Sequence, residues 1–259
     1  MPNDLTKSAR LKNKYTPLLV PLIAIAVLIL FNLIRDPSFF SVKLTANNDG
    51  HTVLAGNLIS ILNSASELAI LAMGMTLVTS ASGGQDISVG ATAAIAGSVF
   101  VKVLRNGDIT ASTVIVAFLV CCAVSILFGA FNGTLVAVFK IQPMIATLIL
   151  FTCGRSIAYW INGGATPTVS SPIIEALGGF IPGVPVPTPV FIVLLCGLVF
   201  VLLFRFTNLG FYTQAVGINQ QAARLNGVHA TCIKMLTVII LGVCVAVAGC
   251  IRVGRLGLV

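Results

Sequence analysis

Charged residues are scarce in this sequence of 259 residues: 8% are Asp, Glu, Lys or Arg, whereas soluble globular domains carry about 25%. Hydrophobic residues make up 57% of the chain. The shortage of charge excludes an ordinary soluble domain, and the abundance of apolar residues excludes a disordered chain. A polytopic membrane protein is the class that fits this composition.

Motifs for catalysis and metal binding are also missing. The sequence has no G-x-x-x-x-G-K-[ST] loop, so the chain has no phosphate cradle of its own for ATP. Its two histidines, His51 and His229, lie in predicted loops where neither can activate a serine within a span. His229 and Cys232 together offer two metal ligands, fewer than zinc takes. We therefore expect no enzyme activity, no metal and no cofactor.

Long apolar runs are what the sequence does contain. A bilayer core about 30 Å thick needs about 20 apolar residues in a helix. The chain offers about seven runs near that length, which predict an all-α transmembrane bundle in a single domain over 1–259, with spans at about 17–35, 54–80, 87–104, 111–139, 144–161, 188–205 and 233–251.

The positive charges indicate an orientation. The net charge of +8 comes without any basic stripe interleaved with aromatics, which argues against nucleic-acid binding. Four cations crowd residues 1–16, and alternating spans place eight cations on that side and four on the other. This bias predicts a cytoplasmic basic tail over 1–16 and therefore a cytoplasmic N-terminus.

Two connections between spans are long. Residues 162–187 are rich in proline and glycine and fall on the outer side, where such a loop either carries a contact or gating role or serves as a surface linker. Residues 206–232 fall on the inner side and are compatible with a helix between Tyr212 and Leu225. Because this segment is too polar to span, we expect it to lie along the membrane surface.

A break between the second and third spans is the first candidate site. Ser82, Gly83, Gly84 and Gln85 resemble the signature of ABC-type ATPases, but neither a phosphate loop nor an acidic strand end accompanies them. The same residues, followed by Asp86, Ile87 and Ser88, predict a helix end, a glycine break and a new helix capped by Asp86. Broken helices in membranes occur where they are buried or line a cavity. A plain capped turn is the favoured interpretation, because capping alone explains the chemistry.

Glu67 and Arg155 are the notable charges inside predicted spans. Ionised groups at that depth face the interior of the bundle and find partners. We hypothesise that Glu67 or Arg155 lines or braces a translocation path, with bracing the favoured role.

Two stretches resemble one family. GMTLVTSASGGQDISVGA (74–91) and AVGINQQAARLNGVHATCIKMLTVIILGVCVAVAGCI (215–251) are similar to the inner-membrane permeases of ribose-type and galactofuranose-type ABC monosaccharide importers, and KIQPMIATLILFTCGR (140–155) fits between them. The resemblance implies a permease subunit in a bacterial cytoplasmic membrane that moves a sugar by alternating access.

The resemblance gives residues 206–232 a mechanical role as a cytoplasmic coupling segment. Permeases of this type carry an E-A-A-x-x-x-G element on a short helix that docks on the ATPase. This chain keeps the spacing with Gln in place of Glu, so the implied coupling residues are Gly217, Gln221, Ala222, Ala223 and Gly227.

The implied partners are an ABC-type ATPase subunit that binds the ATP, a second permease subunit in a homo- or heterodimer, an extracytoplasmic sugar-binding protein and membrane lipid. The resemblance also implies that the C-terminal part of the family domain is missing and that this form does not transport alone. An ion-gradient-driven secondary transporter or channel is the alternative from a different class, since that class also places charges within spans.

Overall fold

The computed structural model describes residues 4–46, 52–169, 171–181 and 183–257, with side chains from residue 19 onward. Helices dominate these residues, as the composition predicts. His51 lies outside the described ranges, and so do the side chains of the basic tail over 1–16. The described chain divides into two compact units.

The first unit consists of residues 1–45 and 54–61. It holds α1 (Asp4–Arg35), most of a two-stranded sheet formed by β1 (Lys43–Ala46) and β2 (Thr52–Ala55), and the first residues of α2 (Asn57–Ser82). The sequence predicted a span from residue 54, but the structure forms β2 there and starts the helix at Asn57. Val, Leu and Thr favour the extended conformation in this short stretch.

The second unit, residues 46–53 and 62–259, contains the rest of α2 and the remaining helices. They are α3 (Val89–Arg105), α4 (Ala111–Ala137), α5 (Pro143–Ile161), α6 (Pro172–Gly178), α7 (Thr188–Phe206), α8 (Leu209–Ile218), α9 (Gln220–Leu225) and α10 (Ala230–Leu256).

Five of the predicted spans are confirmed as helices long and apolar enough to cross a membrane: α2, α4, α5, α7 and α10. The third predicted span is α3, an apolar helix of 17 residues that begins after Ser88. The first predicted span lies in α1, where the residues whose side chains are described form a shorter apolar helix over Leu19–Arg35. The pattern of apolar runs therefore located all seven long helices of the residues that the structure describes.

The last long helix, α10, forms the centre of the second unit. It packs against α3, α4, α6 and α8. Of the most apolar 18-residue stretch of α10, 67% is buried, whereas only 11% of the corresponding stretch of α7 is buried. Small residues bring α4 and α10 together: a Cβ at Gly129 would approach the Val238 carbonyl oxygen to 3.1 Å, and one at Gly242 would approach the Ser125 carbonyl oxygen to 3.0 Å. Close helix packing of this kind is typical of membrane bundles.

The loop over 162–187 is more ordered than a surface linker. Ser171 and Pro172 start the short helix α6, with Pro at the first helical position where its missing N–H costs nothing. Val169 and Ile174 are buried in a cluster with Phe100 and Val253. This part of the loop therefore packs into the core against α10 and does not lie on the surface as a linker would, while a contact or gating role stays a prediction.

Candidate functional site

The break between α2 and α3 is held by a buried polar network. Gly83 ends α2 in a left-handed conformation at φ +69°, and a Cβ at Gly84 would come within 2.9 Å of the Pro143 ring. The backbone N–H of Ile87 donates to the Thr147 hydroxyl at 3.1 Å. Glycine is therefore needed here both for the turn and for the close approach of α5.

Asp86 fixes the start of α3, although it is not the N-cap itself. Its Oδ1 accepts hydrogen bonds from the Ser88 backbone N–H at 2.8 Å and from the Ser88 hydroxyl at 2.6 Å. Ser88 is the N-cap residue and has no side-chain capping bond. The expectation that Asp86 caps α3 directly is corrected on this point: the carboxylate orients Ser88, while Gln85 stays exposed.

Asn132 of α4 completes this network and was missed by the sequence analysis. Its Nδ2 donates to the Ser88 hydroxyl at 2.8 Å, and its side chain is almost fully buried. The sequence did contain a signal for this residue: an amide side chain within an apolar helix needs a hydrogen-bond partner inside the bundle.

Glu67 lies in a second cluster of polar side chains, in the N-terminal half of α2. Its carboxylate is 3.4 Å from Arg252 Nη1 and 3.3 Å from Arg255 Nη2, and only 7% of its side chain is exposed. Arg255 also donates to the Ser64 hydroxyl at 2.8 Å. Asn63, one turn before Glu67, donates to the Gly178 carbonyl oxygen of α6 at 3.1 Å. The partners of Glu67 are thus two arginines that the sequence analysis had not connected to it.

Arg155 lies apart from Glu67, along a cavity of about 470 Å³ between α3, α5 and α10. Its guanidinium stands 5.6 Å from the centroid of the Phe151 ring. Tyr159, Asn162 and Arg252 also line the cavity, together with small residues that leave the space open, among them Gly90, Ala94 and Gly97. The structure therefore places one charge, Glu67, in an ion-pair cluster and the other, Arg155, on a cavity wall.

The predicted coupling segment forms two helices where one was expected. The helix predicted from Tyr212 to Leu225 breaks at Asn219, which ends α8 and starts α9. Ala223 packs inward with Val216 and Ala230, whereas Gln221 and Ala222 face outward. Gly227 adopts φ +80° after the end of α9.

Asn219 is a further residue that the sequence analysis missed. Its Oδ1 accepts hydrogen bonds from the backbone N–H groups of Gln221 and Ala222, both at 3.0 Å. An Asn directly before a helical Gln-Gln-Ala-Ala run is a standard start signal, so the information was present in the sequence.

We expect Asn219→Ala to destabilise α9 locally by about 1 kcal/mol, the usual loss for an N-cap side chain. Hydrogen exchange at the amides of Gln221 and Ala222 should accelerate, while Asn219→Asp should keep the slow exchange because its carboxylate accepts the same two bonds. Unchanged exchange in Asn219→Ala would show that the cap contributes nothing to the segment.

His229 and Cys232 do not form a metal site with further ligands. No group of three or more His, Cys, Asp or Glu side chains comes together within the described part of the chain.

Comparisons with known proteins agree with this architecture. Residues 57–259 match the family described as the permease component of branched-chain amino acid transport systems. The chain is 40% identical over 257 residues to the galactofuranose transporter permease of Escherichia coli, which covers 97% of the chain and 71% of that relative. No solved structure gives a significant match.

Two other relatives are import permeases for sugars. The fructose import permease of Bifidobacterium longum is 35% identical over 88% of the chain and 63% of its own length. The ribose import permease of Escherichia coli is 34% identical over 91% of the chain and 68% of its own length. The chain thus spans about two thirds of the length of these relatives.

Proposed function

Since the chain belongs to this family of ABC importer permeases, we propose that it forms the membrane path of an ATP-driven monosaccharide importer. The likeness to galactofuranose, fructose and ribose permeases supports a monosaccharide as the substrate. The observation that carries the proposal is the exposed face of the coupling segment, where Ile218, Ala222 and Leu225 lie on the surface.

That exposed face presents apolar and small residues together. Ile218 is 86% exposed and Leu225 is 89% exposed, and Gln221 and Ala222 lie between them on the surface. Unlike the exposed apolar side chains on the spans, these two lie on a segment too polar to span a membrane, so we infer that a protein and not lipid covers them. The occupant we propose is the ATPase subunit, with Ala222 at the contact and Gly217, Ala223 and Gly227 shaping the segment behind it.

The two charges within the spans take different roles in this proposal. Glu67 braces α2 against α10 through Arg252 and Arg255. Arg155 lines the 470 Å³ cavity, where its guanidinium can donate hydrogen bonds to sugar oxygens. Because an arginine within a span faces protein or a water-filled space, this cavity is the candidate for the translocation path.

Reconstitution distinguishes the importer from an ion-driven transporter. Because the chain spans about two thirds of the length of its relatives, it would first be completed to their length with the C-terminal part of the galactofuranose permease. Proteoliposomes would then contain this completed permease, a sugar ATPase and a sugar-binding protein, and uptake of labelled ribose, fructose and galactofuranose would be followed. We expect uptake to require ATP. Uptake that proceeds without ATP and follows a proton or sodium gradient would contradict the proposal and favour the secondary transporter.

ATPase binding gives a second readout that does not depend on uptake. Ala222→Trp should weaken binding of the ATPase to the purified chain at least tenfold, a loss of about 1.4 kcal/mol, because the indole fills the contact. Asn106→Trp places the same bulk on the exposed C-cap of α3 and should leave binding unchanged. Equal binding by both variants would remove the coupling role from this segment.

A further inference from the structure

The last turn of α3 carries two positive charges without a counter-charge. Lys102 and Arg105 are both exposed, and neither forms an ion pair within the described ranges. Side chains three residues apart on a helix are neighbours, with Cβ atoms about 5–6 Å apart. The ammonium group and the guanidinium can therefore contact one and the same ligand.

A pocket opens between these two cations and the end of α5. It measures about 360 Å³, within the range of about 300–1,000 Å³ that is typical of small-molecule sites. Asn162 Nδ2 donates to the Ser98 hydroxyl at 3.0 Å and so ties the end of α5 to α3, one turn before Lys102. The wall of this terminal pocket consists mainly of Lys102, Arg105, Asn106, Asn162, Gly163 and Pro167.

The charge of the terminal pocket favours an anion. None of the described residues that line it is an aspartate or a glutamate. The end of α3 opposes an anion with about half a negative charge from the helix dipole, but Lys102 and Arg105 supply two full positive charges. An arginine fork matches two oxygens of a phosphate at once, and a lysine adds a point charge.

The residues beside the pocket indicate its depth in the membrane. Tyr159 and Trp160 precede Ile161 of the pocket wall in the last turn of α5, and they are 60% and 79% exposed. Tyrosine and tryptophan are enriched at the membrane surface, where their rings lie at the level of the lipid headgroups. The phosphate groups concentrated at that level are those of the lipids.

We propose that the terminal pocket binds the headgroup phosphate of an anionic phospholipid, with Lys102 and Arg105 as its ionic contacts. A zwitterionic lipid is disfavoured because its own cationic group would meet these two charges and no carboxylate of the pocket wall. This site goes beyond the importer proposed above, since the binding needs neither a sugar nor an ATPase.

The helix dipole offers a competing explanation for the two cations. A lysine and an arginine in the last turn of a helix also compensate the partial negative charge at its end. That role stabilises α3 equally in every lipid. Selectivity for an anionic lipid therefore separates a lipid site from simple compensation of the dipole.

Thermal unfolding of the full chain in detergent tests the site. The chain receives phosphatidylglycerol, phosphatidylcholine with the same acyl chains, or inorganic phosphate, at constant ionic strength. We expect a rise in Tm that saturates with phosphatidylglycerol, since a ligand that binds only the folded state stabilises it by mass action. Phosphatidylcholine should give a smaller rise, and inorganic phosphate should give none because it has no acyl chains to hold it at this depth.

Two pairs of substitutions assign the effect to the pocket. Lys102→Gln combined with Arg105→Gln should raise the phosphatidylglycerol needed for half of the Tm rise roughly tenfold. Lys140→Gln combined with Arg205→Gln is the matched control, because these two cations are also exposed and do not line the pocket. Each pair removes two charges from the net +8, so a general attraction of the chain to anionic lipid falls equally in both.

Native mass spectrometry gives a readout that does not depend on stability. After mild removal of detergent, the unsubstituted chain and the control pair should each retain one phosphatidylglycerol molecule more than the chain with Lys102→Gln and Arg105→Gln.

Four results would overturn the proposal. Equal Tm rises with phosphatidylglycerol and phosphatidylcholine would show that the pocket does not select charge. An equal loss in both pairs of variants would assign the effect to the net charge of the chain. A full phosphatidylglycerol response in the chain with Lys102→Gln and Arg105→Gln would leave these cations with the dipole role alone. A rise with inorganic phosphate alone would assign the site to a soluble anion.

Discussion

Replacing Glu67 with glutamine is expected to lower the free energy of unfolding by about 2 kcal/mol. The carboxylate joins Arg252 and Arg255 of α10 to α2, and its removal leaves two guanidiniums without a counter-charge. Breaking a fully buried pair costs about 3–5 kcal/mol. We expect less here because Arg252 is more than half exposed and is partly solvated already.

Glu67→Ala should destabilise the chain further, since it also removes the hydrogen bonds that glutamine can still make. Thermal or denaturant unfolding in detergent measures both variants. Asp108→Asn is the matched control: it removes an exposed carboxylate, and its effect should stay within about 0.5 kcal/mol. If the free energies of unfolding of Glu67→Gln and Glu67→Ala both equal that of Asp108→Asn, the cluster does not brace the bundle.

The Glu67 cluster shows where sequence reasoning stops. The depth of Glu67 in an apolar run predicted that it needs a partner, and this much was right. The partners, Arg252 and Arg255, lie 185 and more residues away, and no local pattern connects them to Glu67. Only the path of α10 past α2 brings them together, because tertiary packing decides which distant charges meet.

Features that depend only on residues close in the sequence were easier to predict. Gly83, Gly84 and Asp86 predicted the break correctly, since glycine conformation and carboxylate hydrogen bonding act within a few residues. Asn132, by contrast, joins the network from α4, 44 residues beyond Ser88. The residues that bind at the break therefore come partly from a helix that local patterns cannot position.

The short helix α6 and the break before α9 were missed for another reason. Ser171 and Pro172 at the start of α6, and Asn219 before α9, are start signals that the sequence contains. Hydrophobic periodicity dominates the interpretation of an apolar chain, and helices of 7 and 6 residues are too short to show it. Capping residues are the better guide in such loops.

The coupling segment leads to the second large effect, at Gly217 of α8. A Cβ at this position would collide with the Ser80 carbonyl oxygen in the last turn of α2. Ser80 lies just before the break at Gly83, so α8 touches α2 next to the network around Asp86. In the proposed importer, motion of the coupling segment would reach the break by this short route, which depends on the absence of a side chain at Gly217.

We expect Gly217→Ala to destabilise the chain by about 1–3 kcal/mol, the range for added bulk in a packed interface, because the opposing atom is backbone and cannot rotate away. ATP-driven uptake should fall more steeply than stability does, since α8 must shift away from α2 to accept the methyl group. Unfolding in detergent and uptake in proteoliposomes measure the two effects separately.

Gly197→Ala is the matched control, because a Cβ there meets no atom within 4 Å. In the interior of α7 this substitution should stabilise the chain by about 0.5–1 kcal/mol, since alanine loses less backbone entropy on folding. If Gly217→Ala behaves like Gly197→Ala, α8 does not rest on the Ser80 carbonyl. If Gly217→Ala loses stability but retains full uptake, the contact is structural and coupling passes through α9 to α10 by another route, such as the bond from Lys234 to Gln220.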